Sequence, residues 1–236
     1  MNFNITTNRE LDETMIEEFF NSGSSVIYAS WPALKSAADI PKILDSEYGG
    51  ELNDKIKLLK ANTDKLNLIA SAISTVMGEP WAPIDKINIW VGACPIAPRF
   101  LDIHSFLMPY HHDLDYMITT STHEMIHFLY FKKWASLFPE HKPEMFESPH
   151  PVWVLSEILA VIIGNDARIK DVIGNKSELY PNWQEVKVEG QGLTEPYVQI
   201  HKTCEDFDAF LKESWIKYQE LDKKHNVTSK LTENTF

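Results

Sequence analysis

The chain has 236 residues, 44% of them apolar, and carries 34 acidic against 22 basic side chains, a formal net charge of −12. That charge disfavours nucleic-acid phosphate as a partner. Its length suits one domain or a compact unit with two lobes. The two cysteines, Cys94 and Cys204, make no disulfide framework. No apolar leader opens MNFNITTNRELDE, and the longest apolar run, Pro151 to Ile163, holds Glu157 and is too short to span a bilayer. The expectation is a cytoplasmic protein with no membrane partner and an oligomeric state that the sequence does not fix.

Thr7-Asn-Arg-Glu10 reads as a capping box, so a first helix is expected from near residue 8 to Asn21-Ser-Gly23. A short second helix is expected around Ile27–Ala38, before breaks at Pro41 and Gly49-Gly50. Leu52, Ile56, Leu59, Leu66, Ile69, Ile73 and Met77 recur at threes and fours, which predicts one long helix over 51–77, with Asn62 as a point of interruption. Residues 1–80 form an N-terminal helical region in this reading, and 81–236 a second region. Lys86–Val91 alternates like a strand. Phe100–Met108 is a second candidate strand, either an edge that could pair with an extended peptide or an internal strand.

A helix is expected from Asp113, a plausible N-cap, to Leu137, closed by Pro139. It is apolar nearly all round and so belongs in the interior. Another is expected from Pro151 to Ile163, with Pro in its first turn and Gly164-Asn165 after its end. Residues 174–200 read as an irregular loop or a few short strands. A last helix opens at Thr203-Cys-Glu-Asp206 and runs to about Lys224, and the polar tail after His225 is expected to fray.

The chemistry lies in His123-Glu-Met-Ile-His127. Residues four apart share a helix face, so both imidazoles can reach one metal ion. Neutral imidazole suits Zn²⁺, at about 2.0–2.1 Å. Glu124, about 100° further round, can reach a zinc-bound water without ligating the metal. A catalytic zinc site needs a third protein ligand. A third His six residues after His127 is excluded, because that position is Lys133. Glu157 is a lone acid in an apolar helix and needs a partner there, which a metal or a basic side chain would supply. His150, Glu144, Glu147, His104, His111 and His112 are competing ligands.

Trp153-Val-Leu-Ser-Glu157-Ile-Leu-Ala160 resembles the W-L-x-E-G-x-A segment of gluzincin metallopeptidases. Ile158 replaces the Gly of that segment, and 29 residues separate His127 from Glu157. The Gly-x-Met-Glu-Asn segment by which aminopeptidases read a free amine is missing. The resemblance implies an α+β, zincin-like fold, mostly helical, with a small sheet beside a central HExxH helix. It implies one Zn²⁺ held by His123, His127 and Glu157. It implies peptide or protein substrates hydrolysed by a metal-activated water, with Glu124 as general base. It also implies a downstream Tyr or His donor to the oxyanion, for which Tyr197 comes first, His201 second, and Tyr180 is a further candidate. Asp115, Asp166 and Asp171 are candidates to orient a ligand imidazole. The alternative is a zincin-like module that binds metal or a partner without cutting.

Overall fold

The computed structural model describes residues 1–232. The fold is mixed α and β, mostly helical with a small sheet. Among the described residues, its contacts divide the chain into two compact units, the first Met1–Leu68 with Trp81–Glu124, the second Ile69–Pro80 with residues 125–232.

In the first unit, β1 (Asn2–Thr6) precedes α1 (Arg9–Asn21), α2 (Ser25–Ser30), α3 (Ile40–Glu47) and α4 (Gly50–Ala61). Asn8, not Thr7, caps α1, accepting from Leu11 N. The expected second helix shrinks to α2 and a single 3-10 turn at Ala37–Asp39. The expected long helix is two, α4 and α5 (Thr63–Met77), broken at Asn62. Then come β2 (Lys86–Gly92), β3 (Arg99–Phe100) and β4 (Ser105–Pro109), in the sheet order β1-β2-β4-β3. β1, β2 and β4 run parallel, with Ile5 beside Ile89 and Ile89 beside Phe106. Every residue of β4 is buried, as parallel strands covered on both faces usually are. The stretch 100–108 is therefore no continuous edge strand: it turns back at 101–104, and β3 pairs antiparallel with β4.

This unit encloses a carboxylate. Asp12 of α1 is 0% exposed. It accepts from Ala93 N at 2.6 Å, Cys94 N at 2.8 Å and Tyr48 Oη at 3.0 Å. The two amides lie just past the end of β2. Gly92 is required there, because a Cβ would stand 2.7 Å from the Asp12 carboxylate. Burial pushes the Asp12 pKa up, against the pull of these donors. Burial also pushes the neighbouring Cys94 thiol up to about 12, which leaves it inert.

α6 (Leu114–Leu137) is capped by Asp113, whose Oδ1 accepts from Tyr116 N at 2.8 Å. The division between the units falls inside it, after Glu124. In the second unit, α7 (Pro151–Gly164) is buried from Val152 to Gly164. It is followed by α8 (Ala167–Ile173), α9 (Pro181–Gln184), the hairpin of β5 (Lys187–Val188) and β6 (Gln191–Gly192), α10 (Glu195–Thr203), α11 (Phe207–His225) and α12 (Val227–Thr232). The region 174–200 thus holds two helical segments and a hairpin. The chain after His225 does not fray at once: α12 buries Val227 and Leu231, and only residues 233–236 lie outside the described part. Among the described residues no helix is long and apolar enough to cross a membrane.

Candidate metal centre

His123, Glu124 and His127 ride on one unbroken helix, α6. His127 is 0% exposed and Glu124 6%. The His127 ring stacks on Phe131, one turn on, with centroids 5.9 Å apart. Glu157 sits midway along α7 and is 2% exposed. One candidate ligand atom from each of His123, His127 and Glu157 lies within 4.8 Å of the other two, and no other such group of three is found among the described residues.

These residues fit zinc. Two ligands at about 2.0–2.1 Å from a tetrahedral ion stand about 3.3–3.4 Å apart. His127 Nε2 lies 3.3 Å from Glu157 Oε1. Two imidazoles and one carboxylate are the His₂Glu donor set of a catalytic rather than a closed structural site.

Tyr180 meets the other oxygen of Glu157: its hydroxyl donates to Oε2 at 3.3 Å. Oε1 is the oxygen that meets His127. Pro181 restricts Tyr180 to extended backbone (φ −49°, ψ 141°). Its ring meets Trp183 edge-on at 5.3 Å, and Trp183 meets Trp153 of α7 at 6.0 Å. Trp183 is itself buried and donates from Nε1 to Leu231 O at 3.0 Å, which ties α12 to this wall. The segment before Tyr180 is clasped from both sides by one side chain. Asn165 Nδ2 donates to Ser177 O at 2.8 Å, and Ser177 N donates to Asn165 Oδ1 at 3.1 Å. The preceding Gly164 admits this approach, since a Cβ there would stand 2.3 Å from Ser177 Oγ.

The other candidate residues sit in surroundings of their own. Tyr197 is wholly buried on α10, and desolvation, then the charges of Tyr218 and Asp222, push its pKa up. His201 meets Phe210 edge-on at 4.8 Å and shares its surroundings with Asp166 and Arg168. No hydrogen bond joins Tyr197 or His201 to Glu157, whereas one joins Tyr180. His150 caps α7, Nδ1 accepting from Val152 N at 3.3 Å. His112 stacks on Tyr116, His111 Nε2 stands 4.0 Å from Glu47, and His104 occupies the turn between β3 and β4 at φ 45°. Glu144, Glu147, Asp115 and Asp171 are exposed. Asp166 caps α8 and binds Arg168. Lys133, where one zincin subclass has its third His, is held by Asp208 at 2.7 Å.

The tyrosine that touches Glu157 was legible only as one candidate of three. A backbone-restricting Pro181 directly after it was the available signal. Asn165 carried no functional signal beyond marking a helix end. Comparison of the chain with family models, curated proteins and solved structures returned no match.

Proposed function

We propose that this chain is a zinc-dependent, zincin-like peptidase. The observation that supports it is the convergence of His123, His127 and Glu157, all on buried helices, with ligand atoms within 4.8 Å of one another. A carboxylate 2% exposed is costly unless paired or bound to metal, and this one points an oxygen at an imidazole with the spacing of a zinc edge.

Zinc held by the three residues would polarise a peptide carbonyl and make water acidic enough to attack near neutral pH. The residues of the chain do the rest. Glu124, adjacent to His123 and nearly buried, takes a proton from the attacking water and hands it to the leaving amine. Tyr180 holds Glu157 by Oε2, fixing the carboxylate so that Oε1 stays with His127. Tyr180, not Tyr197 or His201, is the downstream residue to which the reading gives a role at the cluster.

The test is Glu124→Gln, assayed with a mixed peptide library and for zinc by elemental mass spectrometry. Zinc near one per chain and hydrolysis lowered about 10²–10⁴-fold is the expected result. Wild-type protein without zinc, or a variant that cuts as fast as the parent, would overturn the reading.

A further inference from the structure

The second unit holds a cavity of about 570 Å³ along the far half of α7. Val161, Ile162 and Leu193, all buried, line it together with Val198. Val161 lies one helical turn past Glu157 and so on the same face. Leu179, also in the wall, is the residue before Tyr180. The cavity thus borders two elements that build the candidate metal centre.

Its charge runs against the rest of the chain. The protein is acidic at −12, yet Lys170, Lys176 and Lys202 all line this one cavity. None of the three takes part in an ion pair among the described residues. Of the acids in the wall, Asp166 is already neutralised by Arg168 through two bonds of 2.8 Å, which leaves Glu178. Burial, reinforced by Arg168, holds the His201 imidazole below its ordinary range, so the positive charge comes from the lysines. An apolar floor under a cationic rim complements a ligand with an apolar side chain and a carboxylate.

We infer that this cavity binds the carboxyl-terminal residue of the peptide substrate, its apolar side chain on Val161 and Ile162 and its carboxylate among Lys170, Lys176 and Lys202. The inference rests on the peptidase reading above and names its substrate class. The axial rise from Glu157 to Val161 and Asn165 is about 6–12 Å. An extended peptide covers that in about two to four residues. The enzyme would therefore trim short pieces from free carboxyl termini.

The experiment uses the zinc-loaded full chain carrying Glu124→Gln, so that peptide is bound and not consumed. The probes are a fluorescein-labelled alanine hexapeptide ending in leucine with a free carboxylate, and the same peptide as its amide. The free acid should bind at least tenfold more tightly by fluorescence anisotropy. Raising the salt should shrink that preference, and replacing all three lysines by Gln should abolish it. Equal binding of acid and amide, no binding of either, or an unchanged preference in the triple variant would overturn the inference. Zinc content and library hydrolysis report separately on the metal centre. If those succeed while acid and amide bind alike, only the cavity assignment falls. If zinc is absent while the acid preference holds, the cavity stands and the peptidase reading falls.

Discussion

Asp12 and Glu157 are both carboxylates sealed inside helices, at 0% and 2% exposure, and they are sealed for different reasons. Asp12 is answered by the chain itself, through two backbone amides and a tyrosine hydroxyl. Glu157 accepts from Tyr180 at Oε2 and has Oε1 3.3 Å from His127 Nε2. A buried acid is therefore no metal signal by itself. What separates the two is the partner set: amides complete a structural knot, whereas imidazoles complete a set of donors.

The sharpest way to break this comparison is Asp12→Ala. It strands two amides and a phenol in the interior, and should cost about 3–5 kcal/mol, whether or not zinc is present. Urea denaturation with and without chelator checks this. A loss below about 1 kcal/mol would show that the knot is not structural.

Glu157→Ala should behave in the opposite sense, through zinc alone. Zinc at a hundredfold its Kd should raise wild-type stability by about 2.7 kcal/mol, and the variant should lose that increment. If the variant kept it, His123 and His127 would be binding zinc with another ligand.

Tyr180→Phe comes next. It removes the bond to Oε2 and should weaken zinc affinity about 10-fold, as changes beside a metal ligand do, with little effect on the metal-free chain. Competition with a chromophoric chelator measures it, and unchanged affinity would deny Tyr180 its positioning role.

The smallest effect belongs to an acid near the surface. Asp166→Asn should cost about 0.5 kcal/mol at pH 6, since Arg168 is 53% exposed in its side chain. Arg168 holds the Asp166 pKa below its ordinary 3.8. A depressed folded pKa gives stability that is present above 3.8 and lost as pH falls through the folded value. The gap between parent and variant should therefore close as the pH falls below 3.8, and a gap that widened there would contradict the assigned cause.

The sequence showed one of the two carboxylates plainly and hid the other. Glu157 is the one charged residue in the thirteen-residue run from Pro151 to Ile163, so its burial is visible in one dimension. Asp12 lies in an ordinary amphipathic helix among Glu10, Glu13, Glu17 and Glu18. Its partners come from 81 and 82 residues away, through a loop that alternation does not describe. The same contrast holds for the fold. α6 and α7 begin and end within a residue of their expected limits, because caps, prolines and apolar runs all agree there. β1 was unforeseen. It offers one buried side chain, Ile5, and takes its register from a parallel partner more than 80 residues on. α10 was hidden in a stretch where Gly and Pro masked a nine-residue helix. In the candidate site, the HExxH pair and Glu157 could be read from spacing and burial. The contact of Tyr180 with Glu157 could not, since it depends on how the fold returns a residue 23 positions further along the chain.

The clasp between Asn165 and Ser177 sets how the site responds to disturbance. Glu157 stands on α7 and Asn165 caps its C-terminus about two turns on, and Asn165 holds the segment of chain that delivers Tyr180 three residues beyond Ser177. Carboxylate and hydroxyl are thus referenced to one rigid rod. A tilt or slide of α7 carries both ends of the Tyr180–Glu157 bond together, so the displacement cancels from their separation. Error in that distance can enter only through the short span from Ser177 to Tyr180.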